Sequence, residues 1–175
     1  MIPFVSIIGR GNTGKTTLIR SLIHELGQLG YSVAVIKHDP HDHGEVDREG
    51  SDTWDFRKAG SKAVILASPK RITLFKETPQ EQMPEDIFPL CGDVDLIILE
   101  GYKTRKYPKI FMWTGKEDLD AGPDWDLLAV IYAKEEKKQA SEHFGKMDIP
   151  LFCRDDATEI ASFMEEHIIK DRRLG

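Results

Sequence analysis

Continuous apolar runs separated by polar segments recur along this chain, and most of the runs have the length of a strand. Six of them predict buried strands, at residues 2–8, 32–37, 94–99, 109–113, 127–132 and 149–153. Another β-rich stretch, KAVILASPKRITLF, is broken by Pro69 and Lys70 and therefore predicts a hairpin. We expect this hairpin to be added to the main sheet.

Helical patterns lie between the predicted strands. Leucine and isoleucine recur at helical spacing from Leu18 to Leu29, and Gly30 is suited to the position after the end of that helix. Further helices are predicted at 51–59, 134–144 and 156–170, with helix and loop at 79–90. Ser51 or Asp52 is suited to cap the first of these. The alternation of strands and helices predicts a three-layer α/β fold with a mostly parallel, twisted sheet.

Composition narrows the class of protein. The chain has 175 residues, 40% of them hydrophobic, and we expect one domain that spans residues 1–175. Its net charge of −6 argues against a protein that coats nucleic acid or an anionic membrane. The apolar runs are too short to cross a bilayer, and the start of the chain lacks a basic leader, so we expect a cytoplasmic protein. Cys91 and Cys153 have no metal-type spacing and are expected to be small buried residues.

The segment GRGNTGKTT, residues 9–17, joins the first predicted strand to the first predicted helix. It matches the phosphate-binding P-loop pattern, in which two glycines let successive backbone N–H groups point inward. The side chain of Lys15 is expected to reach the outer phosphates, and the hydroxyl of Thr16 is expected to ligate Mg²⁺. The nucleotide-binding residues predicted here are Gly9, Gly11, Asn12, Thr13, Gly14, Lys15, Thr16 and Thr17. The predicted fold is therefore a three-layer P-loop NTPase fold with an added β-hairpin.

A carboxylate on a neighbouring strand usually completes a triphosphate–Mg²⁺ site, and the stretch VDLIILEG offers Asp95 and Glu100. Five residues of strand span about 16 Å, so only one of the two carboxylates lies at the carboxyl edge of the sheet, where ligands bind. That residue is Glu100, which we predict binds Mg²⁺ directly or through a water. Gly101 leaves room for a phosphate to approach the backbone. Asp95 is expected to be structural.

A histidine-rich segment follows the second strand, KHDPHDHGEVDREGSD at residues 37–52. Its histidines are His38, His41 and His43, and its aspartates include Asp47 and Asp52. Three interpretations stay open: a transition-metal site, a solvated loop without a role, or a loop that closes over the nucleotide or a second ligand. In the last case Asp47 or Asp52 would contact Mg²⁺ through water.

A basic run, GYKTRKYPK at residues 101–109, comes directly after Glu100. Its cations are Lys103, Arg105, Lys106 and Lys109. Such runs are often only solvated surface, but this one borders the predicted site in an otherwise acidic protein. It is a candidate for steering or clamping a second anionic molecule.

Together these segments resemble the molybdopterin-guanine dinucleotide biosynthesis protein B family (MobB). The P-loop alone is shared by many nucleotide enzymes. The specific parts are the Lys-His pair at 37–38, the Asp-x-x-Gly-x-Asp segment at 47–52, Arg57 followed by Ala-Gly, the Glu-Gly-x-Lys block at 100–103, and the later PKI. The resemblance covers the first two-thirds of the chain.

The resemblance implies a GTP-binding accessory protein that has weak GTPase activity and forms a homodimer. It also implies a partner, the guanylyltransferase that joins GMP to molybdopterin. By this route the phosphate contacts carry over to Gly14, Lys15, Thr16 and Thr17, the Mg²⁺ environment to Glu100, and contacts in the shared loops to His38, Asp47, Asp52, Arg57 and Lys103. Lys15 and Glu100 are then the residues expected to act in hydrolysis.

One departure from ordinary GTPases concerns the base. The chain has no Asn-Lys-x-Asp segment, whose aspartate would pair with guanine. After the later strands stand Ala-Lys-Glu-Glu at 133–136 and Cys-Arg-Asp-Asp at 153–156, and either segment offers a carboxylate to guanine. Guanine preference therefore depends on the resemblance.

Two other functions stay open at this point. In a small-molecule kinase, the basic run would act as a lid and the histidine-rich segment would bind an acceptor hydroxyl. In a GTPase metallochaperone, the same histidines would carry a metal. Slow hydrolysis is expected in any case, since no residue can be named as a water-positioning glutamine or an arginine finger, and unassisted P-loop GTPases turn over at about 10⁻³ per second or less.

Overall fold

The computed structural model describes residues 2–41, 47–115 and 125–171. The chain divides into two compact units, one made of residues 1–38 and 90–175 and the other of residues 39–89. Each unit has its own sheet. The single domain expected from the length of the chain stays a prediction.

Within its described residues, the first unit contains a six-stranded sheet and three α-helices. Its strands are β1 (Phe4–Gly9), β2 (Val33–Lys37), β5 (Leu96–Glu100), β6 (Pro108–Met112), β7 (Asp126–Tyr132) and β8 (Leu151–Cys153). Its helices are α1 (Lys15–Gln28), α4 (Lys137–Phe144) and α5 (Ala157–Met164), and α5 continues as a π-helical turn over Glu165–Lys170. Two short 3₁₀ turns complete these described elements, one at Phe88–Cys91 and one at Lys134–Glu136. The first of them begins in the second unit.

All strands of this sheet run parallel, in the order β2-β5-β1-β6-β7-β8. Because β1 and β5 are neighbours, the carboxyl ends of both strands lie at the same edge. The central strands read as apolar runs for a physical reason: both of their faces are covered. In β5, the four residues from Leu96 to Leu99 are fully buried.

Helices cover the two faces of the sheet and make three layers. On one face, Leu18, Leu22 and Leu26 of α1 pack with Ile160 and Met164 of α5 against the sheet. On the other face, Ala140 and Phe144 of α4 pack against β6 and β7. The predicted α/β fold, three-layered with a mostly parallel sheet, is thus confirmed.

Helix α1 ends where the sequence predicts. Gly30 has a φ of +89°, its N–H donates to the carbonyl of Gly27, and the N–H of Tyr31 donates to the carbonyl of Leu26. This pair of bonds is a Schellman motif, which needs a residue in the left-handed region and so favours glycine. Two residues of the apolar pattern, Ile23 and Leu29, are nonetheless exposed.

The second unit contains helix α2 (Asp52–Lys58), strands β3 (Ala63–Ser68) and β4 (Arg71–Lys76), and the one-turn helix α3 (Pro84–Ile87). The expected N-cap of α2 is confirmed, because the hydroxyl of Ser51 accepts a hydrogen bond from the N–H of Trp54. The hairpin of β3 and β4 also exists. Its expected place was wrong: it forms a two-stranded antiparallel sheet of its own and is not added to the parallel sheet.

The remaining predictions differ in small ways. The two cysteines were expected to be buried, but Cys91 and Cys153 are each partly exposed and both are free thiols. The charged helix predicted at 134–144 begins as a 3₁₀ turn and becomes α-helical at Lys137. Among the described residues, no helix combines the length and the apolar character that crossing a membrane requires.

Asp95 joins the starts of β2 and β5, at the sheet edge opposite Glu100. Its carboxylate accepts hydrogen bonds from the N–H of Ser32 at 2.8 Å and from the hydroxyl of Ser32 at 2.7 Å. In return, the N–H of Asp95 donates to the carbonyl of Ser32 at 2.9 Å. The structural role expected for Asp95 is consistent with this geometry.

We predict that Asp95→Ala lowers the free energy of unfolding by about 1–3 kcal/mol, because the N–H and the hydroxyl of Ser32 both lose their acceptor. Urea denaturation measures the change. Asp93→Ala removes an exposed carboxylate two residues away and should change the free energy by less than about 0.5 kcal/mol. Equal stability of the two variants would contradict the structural role of Asp95.

Candidate functional site

The P-loop connects the end of β1 to the first residue of α1. Gly14 is the N-cap of α1, with a φ of +89°, and no side chain caps the helix. The first N–H groups of α1 are therefore open to a ligand, and a helix N-terminus of this kind attracts anions. Gly9 is required by a close approach: a Cβ there would lie 2.7 Å from the carbonyl oxygen of Met112.

Lys15 folds back over this loop. Its Nζ donates to the carbonyl of Gly9 at 3.1 Å and to the carbonyl of Arg10 at 2.7 Å. The hydroxyl of Thr13 also donates to the carbonyl of Arg10, at 3.0 Å. The ammonium group is thus held at the loop itself, within the part of the chain predicted to bind phosphate.

Glu100 lies at the carboxyl end of β5, next to the start of α1. The hydroxyl of Thr16 donates to its Oε1 at 3.2 Å and approaches its Oε2 at 3.5 Å. Glu100 is in register with Ile7 of β1 and with Lys37 of β2. Of the two carboxylates that the stretch VDLIILEG offers, the structure therefore places Glu100, and not Asp95, beside the predicted Mg²⁺ ligand.

The backbone turns sharply after Glu100. Gly101 has a φ of +109° and Tyr102 a φ of +59°, which is rare for a large aromatic residue. The ring of His38 stacks on the ring of Tyr102 at 4.4 Å, and the N–H of His38 donates to the carbonyl of Glu100 at 3.0 Å. A Cβ on Gly101 would come within 3.1 Å of the Cβ of His38. His38 is therefore tied to the turn that carries Glu100.

The basic run was a candidate for steering or clamping a second anion, and for one of its four cations this was wrong. Lys103 is exposed, with its Nζ 5.9 Å from the centroid of the Trp125 ring. Lys109, by contrast, lies in β6 and is fully buried. Lys109 cannot clamp an anion at the surface, because strand β6 passes between two covered faces and carries this side chain inside.

Three of the predicted residues lie in the second unit, and two of them form one network. The Asp47 carboxylate accepts hydrogen bonds from Thr53 at 2.8 Å, Ser51 at 3.2 Å and Arg57 at 3.3 Å. Arg57 also donates to Glu77 at 3.3 Å. This network holds the segment before α2 against the helix.

Burial alone would raise the pKa of the Asp47 carboxyl, but the hydrogen bonds from Thr53, Arg57 and Ser51 outweigh it and hold the pKa below its usual range. Asp52 is the first residue of α2 and is exposed. For Asp47, Asp52 and Arg57, contact with a nucleotide stays a prediction. His43, named with His38 and His41 as a candidate metal ligand, lies outside the described residues.

The two segments proposed to read the base lie at the same edge as the P-loop. A cleft of about 330 Å³ lies between the ends of β7 and β8, and its lining includes Lys134, Asp155 and Asp156. A second cavity, of about 400 Å³, is lined by P-loop residues together with Glu135, Glu136 and Arg154. Glu135 and Glu136 thus share a cavity with the P-loop, and Asp155 lines a further cavity with Thr17.

Sequence reasoning missed Tyr102 and Ser6 as parts of this site. Ser6 is a polar residue within an otherwise apolar strand, and that irregularity is a signal in the sequence. Its hydroxyl donates to the carbonyl of Gly101. For Tyr102 no signal exists, since the pattern of the sequence does not indicate a positive φ at a tyrosine.

The sequence of this chain matches a known protein family. A profile of the family described as molybdopterin guanine dinucleotide synthesis protein B (MobB) matches residues 4–133. This chain belongs to the MobB family. The resemblance of its sequence motifs to the MobB family is thereby confirmed.

Relatives in the MobB family match over most of the chain. A molybdopterin-guanine dinucleotide biosynthesis adapter protein of Escherichia coli K12 is 32% identical over 177 residues, covering 97% of this chain and 95% of the relative. The protein of the same name in Haemophilus influenzae Rd is 40% identical over 116 residues, and this match spans only 63% of either chain. A crystal structure of molybdopterin-guanine biosynthesis protein B superposes with a TM-score of 0.72 at 25% identity, covering 93% of this chain and 97% of that one.

Proposed function

We propose that this chain binds GTP with Mg²⁺ at its P-loop and assists the guanylyltransferase that attaches GMP to molybdopterin. Membership of the MobB family supports the pathway, since its relatives are adapter proteins of molybdopterin-guanine dinucleotide biosynthesis. The observation that carries the nucleotide proposal is the contact of the Thr16 hydroxyl with the Glu100 carboxylate, 3.2 Å apart beside the P-loop.

The residues at this point fit a hard cation. Mg²⁺ prefers oxygen ligands, is usually held by one or two protein groups, and takes its other ligands from phosphates and water. Thr16 and Glu100 supply a hydroxyl and a carboxylate on neighbouring elements. Lys15 and the open N–H groups of α1 then supply the positive charge and the donors that a triphosphate needs.

Guanine is proposed on the strength of the family. Pairing with its N1–H and amino group requires a carboxylate. Segment 133–136 offers Glu135 and Glu136 in the cavity lined by the P-loop, and segment 153–156 offers Asp155 in a cavity that Thr17 also lines. We expect hydrolysis to be slow, about 10⁻³ per second or less, as in P-loop proteins that lack an assisting arginine. The protein then acts as an adapter rather than as an efficient GTPase, and we place it in the cytoplasm with its partner.

The proposal includes a homodimer, and the hairpin of the second unit supports it. Ile65, Ile72 and Leu74 share one face of this hairpin, and 63%, 74% and 39% of their surfaces are exposed. Exposed branched residues on a small antiparallel sheet indicate a protein interface. A second copy of the chain is the partner that we propose for this face.

We predict that Ile72→Lys converts a dimer into a monomer, because an ammonium group would be buried at the centre of the interface. Analytical ultracentrifugation at micromolar concentration measures the state. Gln80→Lys adds the same charge at an exposed position outside the hairpin and should leave the dimer intact. A monomeric wild-type protein would contradict the dimer, and a dimeric Ile72→Lys protein would contradict this face.

We predict that Lys15→Ala weakens GTP affinity at least about tenfold, since each charge-assisted hydrogen bond contributes about 1.5–3 kcal/mol. Isothermal titration calorimetry with GTP and Mg²⁺ measures the change. Lys146→Ala removes an exposed lysine of the same unit and should bind like wild type. Undiminished affinity in a folded Lys15→Ala protein would remove the basis of the proposed site.

A further inference from the structure

Two polar side chains stand out inside the first unit. Among the residues that the structure describes, Ser6 and Lys109 are the buried polar ones, and both are fully buried. They are register partners on the adjacent parallel strands β1 and β6. Register partners in a sheet point to the same face. A hydroxyl and an ammonium group therefore lie side by side on one face of the sheet, among buried residues that are otherwise apolar.

Both side chains bind the backbone of the same loop, residues 101–107. The hydroxyl of Ser6 donates to the carbonyl of Gly101. The Nζ of Lys109 donates to the carbonyl of Tyr107 at 3.0 Å and to the carbonyl of Arg105. The loop is thus held at its beginning and at its end, and it is the segment that directly follows Glu100.

The ring of Trp125 covers the ammonium group of Lys109, with 5.5 Å between the Nζ and the ring centroid. This contact is a cation–π interaction in a desolvated place. Two carbonyl oxygens and one ring face therefore surround the charge of Lys109, and Asp126 adds a longer-range attraction.

The loop needs such anchoring because Tyr102 is strained. Gly101 and Tyr102 both have positive φ, and a tyrosine in that region is unfavourable. Conformations of this kind persist only where surrounding contacts over-determine them, and they concentrate at functional sites. Here the stacked ring of His38 and the hydrogen bond from Ser6 act on the same two residues.

Stability alone is a weak reason for a buried lysine. Burial lowers the pKa of the Lys109 ammonium group, and the attraction of Asp126 does not restore it. Well-packed apolar residues in place of buried charges often leave a protein as stable or more so. The contacts of the Lys109 ammonium group with loop 101–107 point to a role beyond stability.

We propose that Lys109 and Ser6 are positioning residues: by fixing loop 101–107 they hold the Glu100 carboxylate against Thr16, in the geometry that Mg²⁺ requires. This inference rests on the proposed function, since it concerns the same nucleotide site. In this role neither residue needs to touch the nucleotide, since both side chains are fully buried. Both act through the backbone that follows Glu100.

The test compares GTP affinity with Mg²⁺ and with EDTA in Lys109→Met, which keeps the length of the side chain and removes its charge. Without Mg²⁺ the affinity should match wild type within about twofold, and the gain in affinity on adding Mg²⁺ should fall about tenfold, the loss expected for one charge-assisted contact. Lys146→Met removes an exposed charge and should keep the full gain. An unchanged gain in folded Lys109→Met would overturn the proposal.

A double variant tests whether Lys109 acts through Glu100. Glu100→Gln should lose the Mg²⁺-dependent gain by itself, and adding Lys109→Met should cost little more, because residues that act as a unit are not additive. Losses that add would overturn the positioning role.

Hydrogen exchange separates this inference from the proposed function. The amides of Gly101 and Arg105 donate to the carbonyls of Ile7 and Tyr102. In Lys109→Met we expect the Arg105 amide to exchange at least about tenfold faster, since Lys109 no longer holds the end of its loop. Unchanged exchange would overturn the claim that Lys109 fixes loop 101–107, even if GTP binds. If the wild-type protein binds no GTP, the proposed function and the role toward Mg²⁺ fail together, while the exchange rate still decides whether Lys109 fixes the loop.

A second variant keeps the test usable if Lys109→Met does not fold. Ser6→Ala removes one hydroxyl and leaves the carbonyl of Gly101 without that donor. We expect faster exchange at the Gly101 amide and a smaller Mg²⁺-dependent gain in affinity. Wild-type values for both would contradict the proposal.

Discussion

The contact between the Thr16 hydroxyl and the Glu100 carboxylate exists because β1 and β5 are parallel neighbours whose carboxyl ends coincide. Parallel pairing requires that both faces of the sheet be covered, which accounts for the apolar runs and for the helices on either side. It also aligns the start of α1, with its open N–H groups, beside a carboxylate on the next strand. The geometry of the candidate site thus follows from one topological constraint.

The same constraint explains why polar residues inside the sheet are informative. A buried serine and a buried lysine on adjacent strands cost free energy unless their hydrogen bonds are made. Here those bonds are made to the loop after Glu100, whose backbone is strained at Tyr102. The buried side chains of Ser6 and Lys109 therefore bind the same loop whose first turn is strained. That turn directly follows Glu100.

Much of this arrangement could be predicted from the sequence, because local patterns determine it. Apolar runs indicate buried strands, the glycine loop marks a strand-to-helix turn, and counting residues along β5 separates Glu100 from Asp95. Contacts between distant segments could not be predicted. Lys109 reads as part of a surface run, since no local signal shows that Trp125 and two carbonyls enclose it. The hairpin was misplaced because strand patterns do not indicate which sheet a strand joins.

The adapter role is tested most directly by reconstitution. Purified guanylyltransferase, molybdopterin and Mg²⁺ are combined with limiting GTP, and the yield of molybdopterin guanine dinucleotide is measured with and without this protein. A Lys15→Ala protein serves as the matched variant. We expect the wild-type protein to raise the yield and the variant to leave it unchanged. A yield that is indifferent to the wild-type protein would contradict the adapter role.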